Sequence, residues 1–415
     1  MGPDGAAGLY HGLVAAAEPM TPSLRSTVRA LAPWIEEIRA DLHQHPELSY
    51  REVGTRERIL ARLKELGLAA TTYGKFTGVT ADIGGGHGGP AVALRADMDA
   101  LPVTEATGAP FSSRTPGVMH ACGHDVHMAS LLGAARVLVD RQGSLPGPVR
   151  LLFQPAEEEG MTGGASGLIA RGALRRPKVQ FVFGQHVEPR IPAGSLGWRA
   201  GMMMAAADEF RITVHGRGGH ASQPHLGGDA VHAAAEIVVG LQTLLARTKD
   251  PVHPGLISVG MIRGGEKSNV LPPEVQLAGT VRTFDPSLRR NLQRAIPTRA
   301  RLIARSLGAR AEVDYILGYP ALVNEPGTTS KVAERLRASW GDARVRELKH
   351  PVLGAEDFAR YLERAPGTLW FLGSAPNGRS EMSLHSPGFL PDPRALTAGA
   401  EALLLATESV QGAPA

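Results

Sequence analysis

The chain alternates between segments with apolar residues at helical spacing and short, continuous apolar runs. The helical spacing predicts helices over 26–46, 52–68 and 125–141, the first with Ser26 as its N-cap. The apolar runs within 78–98 predict two strands joined by a Gly-rich hairpin turn. Two further runs, which end in "FQPAEE" and "FGQHVEP", predict buried strands with polar ends. Strands that alternate with helices indicate an α/β domain whose mostly parallel sheet is covered by helices on both faces.

The pattern changes at about residue 207, where strands and helices follow in the order β-α-β-β-α-β. This order is typical of the split βαβ, or ferredoxin-like, arrangement, and we place that domain at 207–322. Helix–strand alternation returns over 323–411. The sequence therefore predicts a discontinuous domain, 25–206 and 323–411, that carries an inserted smaller domain. Residues 1–24, rich in Ala, Gly and Pro, are predicted to be a disordered leader.

Charge and composition exclude several classes of function. The 415 residues carry a formal net charge of +4 with no long Lys/Arg run, so nucleic acid is not expected as a partner. No apolar stretch reaches the roughly 18–20 residues that span a bilayer, so no membrane partner is expected. The first residues lack the pattern of a signal peptide, which makes a cytoplasmic location the expectation. The single cysteine, Cys122, cannot form an internal disulfide.

Cys122 stands in "HACGHDVHMA", two residues before His124 and five before His127. Thiolate and imidazole are ligands of Zn²⁺ and related ions, so the segment is a candidate metal site. A buried structural cysteine beside ordinary histidines is the alternative, and it is the better explanation of an isolated C-x-H pattern. A third interpretation makes Cys122 the nucleophile of a cysteine hydrolase, with a nearby histidine as its base.

Other polar residues follow the ends of predicted strands. Three adjacent acids, Glu157, Glu158 and Glu159, follow one strand, His186 ends the next, and His385 comes after a later strand and loop. Each of them alone fits a structural or solvated role. Ligands of α/β sheets bind beyond the carboxyl ends of the parallel strands, however, so these residues are expected to converge with the cysteine. Adjacent carboxylates could then divide metal binding and proton transfer between them.

Eight motifs occur in order along the chain: "DLHQHPELSYREVGT", "LRADMDALPV", "HACGHDVHMA", "LLFQPAEE", "GRGGHASQPHLGGDAV", "SNVLP" followed by "GTVR", "GAEDFARYL" and "LHSPGF". Together they resemble the aminoacylase, hippurate hydrolase and indole-acetyl-amino-acid hydrolase group of metal-dependent amidohydrolases, relatives of the dinuclear zinc exopeptidases. The resemblance extends from about residue 35 to 405. It implies a zinc-exopeptidase-like catalytic domain, and it makes the inserted domain a lid or dimerisation domain. A homodimer or higher homo-oligomer is therefore expected.

Carried to the matching positions, the resemblance implies a pair of divalent metal ions in each subunit, with Zn²⁺ or Mn²⁺ preferred and Co²⁺ or Ni²⁺ as further candidates. The implied ligands are Cys122, His124, Glu158, His186 and His385. Glu157 becomes the general base, and His220 becomes a donor to the developing oxyanion, often in the site of the partner subunit. Asn269 and Arg282 would hold the free carboxylate of the substrate.

The chain departs from the family pattern at two positions. "RADMD" stands where many relatives have H-x-D, so a ligand used elsewhere is missing, as is typical of the cysteine-containing branch. The third glutamate in "PAEEEG", Glu159, stands where a small residue is usual. Because Glu159 is a third candidate, the sequence leaves open by one position which of the adjacent glutamates are the base and the ligand.

The implied reaction is hydrolysis of the amide bond of an N-acyl amino acid, with an acetyl, benzoyl or aryl-acyl group. A metal-activated water would attack, with Glu157 as its base. A dipeptidase or aminopeptidase with the same residues is the closest alternative, and a requirement for a free α-amine would distinguish it. A non-catalytic binding protein is a more distant alternative, against which the retention of all five implied ligands argues.

Overall fold

A computed structural model describes residues 23–85, 87–226, 228–251, 253–376 and 383–412 of the protein. Helices and strands alternate along most of these residues. The helices are α1 (Leu24–Ala30), α2 (Ala32–Gln44), α3 (Val53–Glu65), α4 (His124–Asp140), α5 (Gly163–Ala170), α6 (Ala230–Thr248), α7 (Pro286–Ser306), α8 (Pro326–Trp340), α9 (Ala359–Leu362) and α10 (Arg394–Gln411). The strands are β1 (Ala70–Tyr73), β2 (Phe76–Ile83), β3 (Val92–Asp97), β4 (Val149–Gln154), β5 (Phe181–Pro192), β6 (Leu196–Trp198), β7 (Gly201–Met204), β8 (Ala206–His215), β9 (Gly219–His220), β10 (Gly255–Arg263), β11 (Val270–Leu271), β12 (Glu274–Thr283), β13 (Arg310–Leu317), β14 (Leu322–Asn324), β15 (Val345–Glu347) and β16 (Gly367–Ala375).

The predicted first helix, 26–46, is two helices that meet at Leu31. Pro33 lies in the first turn of α2, where its missing N–H costs nothing, whereas inside one long helix it would remove a hydrogen bond. The N-cap is Ser23 and not Ser26, because the Ser23 side chain accepts the backbone N–H of Ser26. The predicted leader over 1–24 lies outside the described residues, except for Ser23 and the first residue of α1.

The larger sheet has the strand order β1-β2-β4-β3-β5-β16-β6-β15. Strands β4, β3, β5 and β16 in its centre run parallel, and β2 and β1 extend it in antiparallel pairing. One face is covered by α2, α4, α8 and α10, and α5 and α9 pack against the other face. The predicted α/β fold with a mostly parallel, helix-covered sheet is confirmed.

The strands β2 and β3 do not form the predicted hairpin. β4 lies between them, antiparallel to β2 and parallel to β3. All six residues of β4 are buried, which suits an interior strand with neighbours at both edges. The prediction was wrong because an apolar pattern locates strands but contains no information on which strands pair.

The smaller sheet has the strand order β10-β12-β8-β13, and each neighbouring pair is antiparallel. Its helices α6 and α7 begin at Asp229 and Asp285, whose carboxylates each accept backbone N–H groups of the first turn. The order β8-α6-β10-β12-α7-β13 is the predicted split βαβ. The domain limits of 207–322 stay a prediction, with β8 starting at Ala206 and β13 ending at Leu317.

Helix α6 is, among the described residues, the one helix that is long and apolar enough to cross a membrane by length and composition. No such stretch is expected from the sequence alone. Ala233, Ile237 and Leu241 of α6 are fully buried in the core of the smaller domain, while Val231 and Val239 are exposed. One apolar face of the helix therefore packs against its own sheet and α7, and the exposed valines lie on the rest of its surface.

Candidate metal centre

Six of the predicted site residues line one cavity at the carboxyl ends of the central parallel strands. The cavity has a volume of about 420 Å³ and lies between the larger sheet and the inserted domain. The six residues are Cys122, Glu157, Glu158, His186, Arg282 and His385. His124 lies beside them, since a ring nitrogen of His124, Cys122 Sγ and a ring nitrogen of His186 are all within 4.8 Å of one another. A larger cleft of about 690 Å³ between α5 and α9 contains none of the predicted site residues.

The imidazoles of His186 and His124 are oriented by backbone carbonyls. His186 Nδ1 donates to the carbonyl of Val187 at 2.8 Å, and His124 Nδ1 donates to the carbonyl of Asp99 at 2.8 Å. Because a carbonyl can only accept, both protons are placed on Nδ1 and each Nε2 is left to bind a cation. The Nε2 of His186 lies 3.3 Å from Cys122 Sγ. This arrangement is typical of histidines that ligate metal.

Electrostatics around His124 favour a positive charge at this point. Burial lowers the pKa of His124, but the carboxylates of Asp97 and Asp99 outweigh burial and raise that pKa to about 10. Nε2 is nevertheless buried without a hydrogen-bond partner among the described residues. A buried polar atom without a partner costs roughly 1–3 kcal/mol, a cost that a bound cation would remove.

The loop that carries Glu157 and Glu158 is held by its backbone. The carboxylate of Asp99 accepts the N–H of Glu157 at 3.0 Å and that of Glu158 at 2.9 Å. Ala156, just before them, has a positive φ of 54°, and its N–H donates to the buried Glu52 at 2.8 Å. These bonds turn the chain sharply after β4, so both glutamate side chains enter the cavity.

The two carboxyl groups differ in their electrostatics. Burial raises the pKa of Glu157 well above its usual value, and the nearby Glu356 and Glu158 raise it further. Burial also raises the pKa of Glu158, but His385, with Nε2 at 3.2 Å, and His124 outweigh burial and lower it. Two adjacent carboxyl groups with pKa values pushed apart suit a division into proton carrier and ligand.

Glu159 turns away from this cavity. One of its carboxylate oxygens accepts the backbone N–H groups of Met161, Thr162 and Gly163 at 2.8 to 3.2 Å. A carboxylate at the N-terminus of a helix is stabilised by the free N–H groups there, and α5 begins at Gly163. The third glutamate of the motif therefore caps α5, which leaves Glu157 and Glu158 as the pair in the cavity.

His127 is excluded as a ligand by its hydrogen bonds. Its Nδ1 lies 2.6 Å from the carboxylate of Asp97, and its Nε2 accepts the backbone N–H of Val187 at 2.9 Å. Burial lowers the pKa of His127 to about 4, in agreement with the neutral ring that these two bonds require. Both ring nitrogens are used, so no lone pair remains for a metal ion.

The residues present fit two divalent ions. Two groups of potential ligands meet at Cys122, and the ligand atoms of each group lie within 4.8 Å of one another. The groups are Cys122, His124 and His186, and Cys122, Glu158 and His385. Thiolate, imidazole and carboxylate together suit Zn²⁺ and related first-row ions. Burial and the charges of Glu158 and Glu157 raise the pKa of the Cys122 thiol, the opposite of what an activated cysteine nucleophile needs.

Arg282 enters the cavity from the inserted domain. It lies on β12 and donates to the Thr280 hydroxyl and to the carbonyl of Val281. Burial lowers its pKa. Among the described residues no carboxylate lies within ion-pair distance of this guanidinium, so it remains available to an anionic group of a substrate.

The structure does not place His220 and Asn269 in the cavity. Both are exposed: His220 lies on β9, and Asn269 directly precedes β11, the strand that pairs with β9. The carbonyl of Asn269 accepts the N–H of Ala221 at 3.0 Å, and His220 Nδ1 accepts the N–H of Ser222 at 3.1 Å. Both residues are thus exposed at the surface of the chain.

Sequence reasoning missed a buried network next to Glu157. Arg95, on β3, donates to Asp97 at 2.6 Å, to Glu356 at 2.9 Å and to Asp357 at 3.0 Å. Carboxylate oxygens of Glu356, Asp357 and Glu157 lie within 4.8 Å of one another. A signal was available, because charged residues inside an apolar strand such as "VALRAD" are rarely buried unless they are paired.

Known proteins resemble this chain over most of its length. A family model described as peptidase family M20/M25/M40 matches residues 93–409. N-acetyl-L-cysteine deacetylase of Bacillus subtilis is 41% identical over 360 residues, which are 86% of this chain and 84% of that protein. Thermostable carboxypeptidase 1 of Saccharolobus solfataricus is 40% identical over 384 residues, 92% of this chain and 96% of that protein. A Bacillus subtilis crystal structure described as a dinuclear metal-binding peptidase of the M20 family has a TM-score of 0.79 at 33% identity, covering 93% of this chain and 100% of that one.

These similarities confirm the resemblance that the eight motifs indicated. The family match extends across β3, β4, β5 and β16, the strands whose ends surround the cavity, and across the inserted domain. The chain belongs to peptidase family M20/M25/M40 and is a hydrolase of amide bonds.

Proposed function

We propose that the protein hydrolyses N-acyl amino acids, with an acetyl, benzoyl or aryl-acyl group, to a carboxylic acid and a free amino acid. The observation that carries the proposal is the position of Arg282, which shares one cavity with Glu157 and the candidate metal ligands. An N-acyl amino acid always keeps its α-carboxylate, and a guanidinium without a carboxylate partner is suited to bind it in a bidentate fork. The similarity to an N-acetyl-L-cysteine deacetylase supports the same substrate class.

We assign Cys122, His124, Glu158, His186 and His385 as the residues that would hold two divalent metal ions. Zn²⁺ or Mn²⁺ is the proposed occupant, with Co²⁺ and Ni²⁺ as further candidates for the same donor set. When bound, such ions polarise a carbonyl oxygen and lower the pKa of water from ~15.7 to about 7.

Glu157 is the proposed general base and acid. Its carboxylate takes a proton from the attacking water and delivers that proton to the leaving nitrogen. Burial beside Glu356 raises the pKa of Glu157, so the protonated form needed for the second transfer is stabilised. Arg282 orients the substrate by its α-carboxylate, and the walls of the cavity restrict access of bulk water.

His220 of the partner subunit is the proposed donor to the carbonyl oxygen, in a homodimer. Nδ1 of His220 accepts a backbone N–H, so the neutral ring carries its proton on Nε2 and presents a donor to its surroundings. Asn269, on the same ribbon, would reach the substrate carboxylate together with Arg282. The exposure of both residues supports their use by a second subunit.

Peptide hydrolysis is the second candidate, favoured by the 40% identity to a carboxypeptidase. The two candidates differ in the group on the acyl side of the scissile bond, because a dipeptide carries a free α-amine there. Metal-loaded protein would be assayed against acetyl-, benzoyl- and indole-acetyl-amino acids and against free dipeptides of the same C-terminal residue. We expect higher kcat/KM for the acylated substrates. Turnover of dipeptides alone would overturn the proposal in favour of the peptidase.

A further inference from the structure

Strand β5 extends a row of side chains from the candidate metal centre along the wall of the cavity. His186, Glu188 and Arg190 all line the cavity, and they occupy alternate positions of the strand. The pairing of β5 with β16 is irregular between Glu188 and Pro192, and Arg190 nevertheless lines the same cavity as His186 and Glu188. Arg190 therefore follows Glu188 along the cavity wall, four residues from the candidate ligand His186. We name these three residues the β5 row.

Glu188 and Arg190 form a bidentate ion pair in this row. Nε and Nη2 of Arg190 donate to the two carboxylate oxygens of Glu188, each at 2.8 Å, and the backbone N–H of Arg190 donates to the same carboxylate at 3.0 Å. The Glu188 side chain is 8% exposed, whereas that of Arg190 is 74% exposed. The carboxylate is thus buried behind the guanidinium and fixes its plane.

The bidentate pair leaves half of the guanidinium free. A guanidinium has five N–H donors arranged along two edges, and Glu188 occupies the Nε–Nη2 edge. The Nη1–Nη2 edge keeps its donors in the geometry that a second carboxylate accepts. Among the described residues, no other carboxylate lies within ion-pair distance of Arg190.

The proposed hydrolysis gives Arg190 no part, and the other charged residues of the cavity do not pair with it. Asp208 is bound by Arg289 and Glu209 lies on β8 across from Thr280, both on the inserted-domain side. Arg282, on that same side, is assigned to the α-carboxylate. A second guanidinium on the β5 side has no counterpart in a substrate with a single carboxylate.

We propose that Arg190 is a specificity-determining residue that selects N-acyl amino acids with a second carboxylate, held by the free edge of its guanidinium. The second carboxylate belongs either to the amino acid side chain or to a dicarboxylic acyl group. Glu188 is the positioning residue that holds the guanidinium toward the cavity. The inference rests on the proposed function, which it narrows to dianionic substrates.

The test compares acids with their isosteric amides. N-acetyl-L-glutamate against N-acetyl-L-glutamine probes the side chain, and N-succinyl-L-alanine against N-succinamoyl-L-alanine probes the acyl group. The measured quantity is the acid-to-amide ratio of kcat/KM for the metal-loaded enzyme. A bidentate contact to this largely exposed guanidinium predicts a ratio of about 3 to 10 in one of the two pairs. The pair that shows it identifies the source of the second carboxylate.

Two variants and a matched control assign the preference to this residue. Arg190→Gln is expected to bring the ratio to about 1, and Arg190→Lys to restore part of it, because lysine keeps the charge but not the fork. Arg394→Gln is the control, since Arg394 makes the same bidentate pair with Asp392 two residues before it and lies outside the cavity. Arg394→Gln is expected to keep the wild-type ratio. Equal thermal unfolding midpoints would show that Arg190→Gln is folded.

The outcomes separate this inference from the function on which it rests. Ratios near 1 in both pairs for the wild type, or an unchanged ratio in Arg190→Gln, would overturn the specificity while leaving the hydrolysis of N-acyl amino acids intact. No turnover of any N-acyl amino acid would overturn the proposed function and this inference with it. A high ratio that is lost in Arg190→Gln and kept in Arg394→Gln supports both.

Discussion

Tyr319 donates its phenolic O–H to the backbone carbonyl of Glu157 at 2.5 Å. The hydroxyl oxygen of Tyr319 also accepts the backbone N–H of Gly160 at 2.9 Å. Tyr319 follows β13, at the point where the chain leaves the smaller sheet, and it is 2% exposed. The buried Tyr319 side chain therefore links the segment that leaves the inserted domain to two residues, Glu157 and Gly160, of the loop that carries the proposed base.

Tyr319→Phe removes these two hydrogen bonds and nothing else. We expect kcat to fall about tenfold with little change in KM, because the loop loses its support while Arg282 is untouched. Tyr73→Phe is the control, since the Tyr73 hydroxyl bonds to Thr80 at the edge of the larger sheet. A kcat that falls equally in both variants would contradict a specific link between Tyr319 and the base.

Glu157→Gln should keep the bound metal and lose turnover. Glutamine preserves the shape of the side chain but cannot take a proton, and a general base contributes typically ~10²–10⁴ in rate. Metal content and kcat are measured on the same preparation. Glu159→Gln is the neighbouring control, expected to keep turnover and to lose about 1 kcal/mol of stability as a weaker helix cap. Unchanged turnover in Glu157→Gln would refute the assignment of Glu157 as the general base.

Much of the fold was predictable because local patterns decide it. The period-2 and period-3.6 patterns located β8, α6 and α7, and the rule that ligands gather beyond parallel strands brought Cys122, Glu158 and His186 together. The position of β4 between β2 and β3 was not predictable, since pairing depends on contacts between distant parts of the chain.

The types of ligand in the site were predictable from the sequence, but the contacts that hold those ligands in place were not. Asp99 follows an apolar strand, which allows a supporting role, but the sequence does not show that its carboxylate holds the loop of Glu157 through backbone N–H groups. Glu159 could not be separated from its neighbours by sequence, because its role as a cap depends on where α5 starts. The exposure of His220 likewise follows from the placement of the β9–β11 ribbon in space.

Removal of metal should expose the thiol of Cys122. We expect the metal-loaded protein to resist alkylation and the chelated protein to be labelled, because Sγ lines the cavity beside the other candidate ligands. Labelling is followed by mass spectrometry at about pH 9, since burial raises the pKa of the thiol. Cys122 is the only cysteine, so a single mass addition reports on it. Activity that survives chelation but not alkylation would favour a cysteine nucleophile instead.

The buried His43 should make the free energy of unfolding depend on pH. His43 contacts Asp125 at 2.9 Å and Glu105 at 3.2 Å; burial lowers its pKa, but Asp125 outweighs burial and raises the pKa to about 9. Because its pKa is raised in the folded state, protonated His43 stabilises the fold. This contribution is complete below about pH 6.5 and is lost as the pH rises through about 9. It is on the order of 3 kcal/mol.

Urea unfolding of the wild type and of His43→Gln at pH 6 and pH 9.5 measures this contribution. We expect the difference in unfolding free energy between the two proteins to shrink at the higher pH. His232→Gln, at an exposed position of α6, should show no such change. A difference that is the same at both pH values would mean that His43 contributes by packing alone.

Two inactive variants should restore activity when their subunits are mixed. His220→Ala alone is expected to lose ~10²–10³ in kcat, as removal of an oxyanion donor typically does. If His220 acts in the site of the partner subunit, a mixed dimer of His220→Ala and Glu157→Gln contains one site with both residues intact. Random mixing in equal amounts would then recover about a quarter of the wild-type activity, because about half of the dimers are mixed and each has one working site. Recovery is measured after subunit exchange and compared with each variant alone. No recovery despite proven exchange would place His220 in its own subunit's site or outside the reaction, and would remove the shared site from the proposed function.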